Sequence, residues 1–212
     1  MLFVSLAPIA YLHNSERPVF PLVSLSIGPF VSPSLTVLSH GEMLRNSSQV
    51  VSLVRLACTI KMVGFALCAE GFAFTLFGRD REQVGPDFFP IAMGHYPAGS
   101  SMKNGAHLLQ VASRRKFAQY DYGFIRNYIK YGKIEPPNYD LGMVTMPVVI
   151  TVGVNDRIND LRDVKLLRNQ LGNVVDYYVV KWKKWNHSDF VWGKEMKKYL
   201  FDYVQEMLLK YF

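Results

Sequence analysis

Two residues late in the chain have the types and positions suited to proton transfer. Asp156 closes the segment Gly153-Val-Asn-Asp156, just past a β-branched run at residues 148–152. His187 stands in Trp185-Asn-His-Ser-Asp-Phe190, after a second such run at residues 174–180. A neutral imidazole can take the proton of a hydroxyl nucleophile, while a carboxylate behind it fixes the tautomer and stabilises the imidazolium. Loops at the carboxyl ends of neighbouring parallel strands converge, and sites are built there. An acid and then a histidine on successive strand-end loops form the closing part of a serine, acid, histidine order. Spacing alone leaves other readings open, since a strand-end Asp is often a turn residue and a loop His often a surface one. Asp160, Asp163 and Asp189 are rival acids. Asp163 suits a helix N-cap, and Asp189 is too near His187 in sequence to approach its ring from behind.

The elements that must hold these residues read as an α/β unit. Val148-Val-Ile-Thr-Val152 is a continuous β-branched run, the pattern of a strand buried on both faces of a parallel sheet. Residues 153–162 read as a turn, 163–171 as a short amphipathic helix stopped by Gly172, and 174–180 as a second buried strand. A loop at 185–190 and an amphipathic helix over 192–212 close the chain. Strand, helix, strand, loop, helix is the repeating unit of an α/β sheet.

Upstream, residues 2–10 read as a further strand running into Ala7-Pro8, and 14–39 is rich in Pro and Ser, fitting irregular connections and short helices. Residues 42–77 carry Val51, Val54, Cys58, Met62 and Phe65 at helical spacing, with Gly64, Gly71 and Gly78 dividing the stretch into two or three helices. Residues 79–97 read as a loop. The stretch 100–117 reads as a helix with Met102, Ala106, Leu109 and Ala112 on one side and Ser100 or Ser101 as N-cap. Residues 120–139, aromatic and broken by glycines, read as a structured loop.

Composition excludes several classes of function. At 212 residues, 50% hydrophobic and 14% aromatic, the chain can bury one real core and is not disordered. The net charge of +7 would suit nucleic acid only if the cations clustered on one face with stacking aromatics. They are scattered, and the densest group, Lys181, Lys183 and Lys184 around Trp182, alternates as a strand end would. The reading is therefore no nucleic-acid partner, and a basic surface compatible with anionic lipid interfaces. No apolar run reaches the length of a membrane-spanning helix, the longest candidate, 63–77, being interrupted by Glu70 and by glycines. The first ten residues lack the basic start of a secretory signal and read instead as a buried strand, which suggests sequence missing upstream. Cys58 and Cys68 could be bridged or be two buried thiols. They lack the ligand spacing of a zinc site, so no metal and no cofactor is expected.

A dense set of motifs runs through the second half of the chain: His95-Tyr-Pro-Ala-Gly-Ser-Ser101 with Asn104, His107 and Gln110; Phe117 with Tyr120-Asp-Tyr-Gly123; Asn127, Tyr131-Gly132 and Pro136-Pro137-Asn-Tyr-Asp-Leu141; Asn155-Asp156 with Asp163-Val164; and Asn186-His187-Ser-Asp189-Phe-Val-Trp192. In these the chain resembles the acid lipases, the group of lysosomal acid, gastric and many insect digestive lipases, over their C-terminal half; weaker similarity reaches back to Leu6-Ala-Pro8. The resemblance implies a partial α/β-hydrolase fold: residues 1–11 a core strand, 12–140 a helical cap, and 141–212 the C-terminal core. It puts Asp156 on the triad acid and His187 on the triad base, makes His95 and His107 structural, and favours a Cys58–Cys68 bridge. It also implies a lipid ester substrate met at a lipid–water interface, and a secreted or lysosomal full-length parent.

The departure from the family is the nucleophile. No Gly-x-Ser-x-Gly occurs in the 212 residues, and the loop carrying the second oxyanion-hole amide lies far upstream in the family. The reading is a C-terminal portion of a lipase, inactive alone, whose first strand has lost a neighbour and exposes an apolar edge. The alternative is a non-catalytic lipid-binding or lipase-partner fragment. Asn46-Ser-Ser and Asn186-His-Ser match the glycosylation acceptor pattern, and the second overlaps the loop of His187, where a glycan would obstruct.

Overall fold

The computed structural model describes residues 1–15, 42–43 and 49–211. Most of the irregular stretch expected over 14–39, and the acceptor Asn46, lie outside those residues.

Three parallel strands, β1 (Phe3–Leu6), β4 (Val148–Val152) and β5 (Val174–Val179), form a sheet in the order β1-β4-β5. Phe3 pairs with Val148 and Thr151 with Tyr178, so the carboxyl ends of all three strands open on the same side. All five residues of β4 are buried, as its unbroken β-branched run requires, and Thr151 satisfies its hydroxyl by donating to the Ser5 carbonyl at 3.1 Å. The strand at 174–179 departs from the expectation of a buried strand, because among the described residues it pairs on one side only and is half-buried. Its Tyr178 ring stacks on Tyr203 with centroids 3.9 Å apart.

The helix after β4, α6, is Leu161–Gln170, and its N-cap is Asp160, not Asp163. Asp160 has the extended backbone a cap needs and accepts the Arg162 N–H at 2.8 Å. Asp163 lies within the first turn, buried, and accepts the backbone and side-chain N–H groups of Asn14 at 2.9 and 2.7 Å, tying the segment after β1 to this helix. Towards the C-terminus, α7 (Asp189–Trp192) ends where Gly193 leaves the helical region at ψ 124°. The closing helix therefore starts at a π-helical turn, Lys197–Phe201, and continues as α8 (Asp202–Lys210).

The intervening region is helical. Helix α1 (Gln49–Thr59) meets α2 (Lys61–Phe77, π-helical over Phe65–Ala73) at a bend of 112°. A Cys58–Cys68 disulfide spans the bend. Gly64 does not break the helix. A Cβ there would lie 2.3 Å from the Cys58 carbonyl oxygen, so the glycine permits the two helices to touch. The break falls instead at Ile60, which turns the expected stripe: Val51, Cys58 and Phe65 are buried, but Val54 and Met62 face outward. Phe65 packs edge-on against Phe74 and Phe89, with centroids 6.0 and 5.9 Å away. No single helix among the described residues is long and apolar enough to cross a membrane, although the bent pair Val51–Thr59 and Lys61–Phe77 passes that test by length and composition.

Of the next three helices, two occupy stretches expected to be loops, 79–97 and 120–139, and the third is the helix expected over 100–117. Helix α3 (Phe89–His95) begins with Pro90 in its first turn, where a missing N–H costs nothing. Helix α4 (Met102–Arg114) is capped by Ser101, which accepts the Lys103 N–H at 3.2 Å, while Ser100–Ser101 form a short strand, β3, against β2 (Glu42–Met43). Helix α5 (Phe124–Tyr131) has an inverted pattern: its buried residue is Asn127, while Phe124, Ile125, Tyr128 and Ile129 are exposed. Because the polar side points inward, hydrophobic periodicity conceals the helix.

Candidate active site

The register of β4 and β5 brings their following loops together. Although 31 residues apart in sequence, His187 Nδ1 and Asp156 Oδ2 are 2.8 Å apart. The Asp156 carboxylate has its other oxygen occupied, Oδ1 accepting the N–H groups of Ile158 and Asn159 at 2.9 and 2.8 Å. Its side chain is wholly buried, while that of His187 is 24% exposed. When the carboxylate accepts this bond Nδ1 carries the proton, and a neutral ring then has its lone pair on Nε2. Among the described residues, Nε2 has no hydrogen-bond partner.

Backbone from the end of α2 stitches the two loops. The Phe77 carbonyl accepts the N–H of His187 at 3.3 Å and of Arg157 at 3.4 Å. Asn186 Nδ2 donates to the Gly78 carbonyl at 2.8 Å, and Asn155 Nδ2 donates to the carbonyls of Arg79 at 3.1 Å and Lys184 at 2.8 Å. Gly78 sits at φ +109°, and a Cβ there would fall 2.1 Å from the Asn155 carbonyl oxygen, so only glycine fits. The Phe77 ring meets the edge of Trp192, which in turn packs against Tyr96.

The rival acids have other work. Asp160 caps α6 and Asp163 holds Asn14. Asp189 is buried beneath the histidine loop, accepting the Asn186 N–H at 2.8 Å through Oδ2, while its Oδ1 has no partner among the described residues. Burial pushes the Asp189 carboxyl up to about 8, opposed in part by that N–H bond and reinforced by the negative charges of Asp80 and Asp156. Asn186 completes the turn, its Oδ1 accepting the N–H and hydroxyl of Ser188 at 2.8 Å each. Asn186 is fully buried and both of its amide atoms are engaged, so the folded loop cannot carry a glycan there.

His187 opens on a pocket of about 470 Å³ lined by Leu6, Phe77, Tyr96, Phe190, Val191 and Trp192 together with Ala7, Pro8 and Ile9. The walls are mostly apolar, with the imidazole as the basic group among them. Ser188 also borders it, but its hydroxyl is spent on Asn186, and no hydroxyl or thiol among the described residues is hydrogen-bonded to His187. His107 Nε2 bonds the Ala118 carbonyl at 2.8 Å, and the His95 carbonyl accepts from Arg55, so both belong to the helical region and neither reaches the pocket. No three of His, Cys, Asp or Glu are grouped to hold a metal ion among the described residues. Sequence reasoning picked out Asp156 and His187 and missed Phe77 and Gly78. Their part is played largely by backbone carbonyls, which carry no side-chain signature; the glycine after a long apolar helix was the available signal.

No protein-family model matches the chain. It is 31% identical over 207 residues to Lipase 1 of Drosophila melanogaster, covering 97% of this chain and 44% of the relative. To the gastric triacylglycerol lipase of Mus musculus it is 27% identical, over 97% of this chain and 50% of the relative. To the lysosomal acid lipase/cholesteryl ester hydrolase of Rattus norvegicus it is 27% identical, over 99% and 51%. The chain spans about half the length of the curated relatives it matches. Across nearly all of its own sequence, this chain is acid-lipase-like.

Proposed function

We propose that this chain is the C-terminal portion of a lipase that hydrolyses carboxylic esters of lipids, with Asp156 and His187 as the acid and base of a serine, acid, histidine triad. The observation that carries the reading is the 2.8 Å contact between them, which leaves Nε2 free at an apolar pocket. In this mechanism a serine from a preceding Gly-x-Ser-x-Gly segment attacks the ester carbonyl as His187 Nε2 takes its proton. Asp156 holds the ring in the Nδ1–H tautomer and stabilises the imidazolium. The imidazolium then protonates the leaving alcohol, and the same nitrogen activates the water that releases the fatty acid.

Three facts support placing the nucleophile in sequence that precedes this chain. The chain contains no Gly-x-Ser-x-Gly, it matches only about half of each relative, and among the described residues β1 has a partner on one side only, with Phe3 and Leu6 exposed. A further strand on that edge would pair it and bring its own carboxyl-end loop to the pocket mouth at Leu6–Ile9. Residues 12–140 act as the cap in this reading, since Phe77 and Tyr96 from that region wall the pocket. The relatives' names suggest triacylglycerol or sterol ester substrates, and a lysosomal or secreted parent protein. Determining the 5′ end of the transcript tests the proposal. An in-frame upstream segment encoding Gly-x-Ser-x-Gly supports it. A message that starts at Met1 overturns it and leaves a non-catalytic lipid-binding protein.

A further inference from the structure

We propose that the outer face of α5 (Phe124–Tyr131) docks the protein on an anionic phospholipid surface. This face shares no residue with the Asp156–His187 pocket, so the proposal stands apart from the catalytic reading.

The helix is held from its polar side. Asn127 is buried, donating to Asp121 Oδ1 at 2.7 Å and the Ile134 carbonyl at 2.8 Å, and accepting the Tyr122 N–H at 2.9 Å. Phe124, Ile125, Tyr128 and Ile129 adjoin one another on the opposite arc and are 64, 67, 65 and 78% exposed. An eight-residue helix that buries its asparagine and offers its large apolar side chains to solvent is arranged for an apolar medium outside it.

The charge beside that arc is cationic. Arg126 and Lys130 occupy the next arc of the helix and Lys133 follows it. Neither Arg126 nor Lys133 makes an ion pair among the described residues, and Lys130 rests over the Tyr122 ring at 5.0 Å. The nearby acids are already neutralised, Asp121 by Arg114 and Glu135 by Lys116. An apolar strip bordered by uncompensated cations fits acyl chains below and anionic headgroups beside them. A second copy of the chain fits poorly. Two-fold pairing would set the cations of one copy near those of the other, and four side chains fall short of the roughly 800 Å² per partner of a stable interface.

The test is flotation of the protein, translated from its complete transcript, with two kinds of vesicle: phosphatidylcholine alone, and phosphatidylcholine mixed equally with phosphatidylglycerol. The unchanged protein should bind the mixed vesicles at least about tenfold more tightly than the neutral ones. Ile125→Ser with Ile129→Ser should weaken binding to both by about tenfold or more, while Arg126→Glu with Lys133→Glu should remove the preference for phosphatidylglycerol. Both pairs are exposed among the described residues, so melting temperatures should stay unchanged, and a marked fall with Ile125→Ser and Ile129→Ser would show the face covered by the rest of the protein and overturn the proposal. Binding that neither pair alters overturns the proposal, as does a solution dimer that Ile125→Ser with Ile129→Ser dissociates.

Discussion

The ring of Phe77 lies stacked on the imidazole of His187, with centroids 6.0 Å apart and planes 19° from parallel. Phe77 ends α2, and its carbonyl also accepts the His187 N–H. The orientation of the imidazole is thus set by the helical region as well as by the sheet. Phe77→Ala keeps the carbonyl and removes the ring. If the proposed function holds, in the protein translated from its complete transcript it should lower kcat for ester hydrolysis by about 10- to 100-fold, on the scale expected for a misplaced base, with a smaller change in KM. Steady-state kinetics on a soluble short-chain ester separates the two. An unchanged kcat would show that the stacking does not position the ring.

Gly78 ties the same helix to both loops. A methyl group there would meet the Asn155 carbonyl oxygen at 2.1 Å, on a backbone at φ +109° that other residues rarely adopt. Gly78→Ala should cost more than about 2 kcal/mol, combining strain and clash, and should lower hydrolysis along with stability. Urea denaturation gives the first quantity. A midpoint equal to that of the unchanged protein would contradict the close packing described.

Asp189 predicts a pH dependence of stability. Its carboxyl is held up to about 8 by burial, whereas an unfolded aspartate ionises near about 3.9. Between those values the folded chain keeps a proton that the unfolded chain has released. Its stabilising contribution is therefore complete below about pH 4, declines as pH rises, and is lost above about pH 8. Asp189→Asn mimics the neutral acid and cannot ionise. The stability of the unchanged protein relative to this variant should fall between about pH 5 and pH 8, as read from paired urea midpoints. Parallel curves across that window would show that Asp189 is ionised in the fold.

What was legible in the sequence follows from how strongly each signal is local. Val148–Val152 could be read because a strand covered on both faces leaves an unbroken β-branched run. Asp156 and His187 could be singled out because they follow such runs, and the structure brings them within hydrogen-bonding distance. The half-burial of Val174–Val179 was not legible, because composition does not reveal how many strands lie beside it. Phe89–His95 was hidden by Pro90, which marks a loop as readily as a first helical turn. Phe124–Tyr131 was hidden by its outward apolar face, since hydrophobic pattern reports a helix only when the apolar side turns inward. Asp160 rather than Asp163 caps α6, a choice that depends on the backbone at each position and not on residue type. The contacts made by the Phe77, Gly78 and Arg79 carbonyls are tertiary, and no local pattern announces them.

The central claim is that His187, oriented by Asp156, is the base of an ester hydrolase. It is tested most directly by the rate of lipid ester hydrolysis by the protein translated from its complete transcript, with His187→Ala and Asp156→Asn made in it. Each substitution should lower kcat by about 10³-fold or more, through loss of the base in one case and of the Nδ1–H tautomer in the other. His187→Ala also unpairs Oδ2 of the buried Asp156 carboxylate, so its urea midpoint should correspond to a loss of about 1–3 kcal/mol and rates are compared where both proteins are folded. A His187→Ala protein that keeps its fold and hydrolyses lipid esters within about tenfold of the unchanged rate would contradict the account.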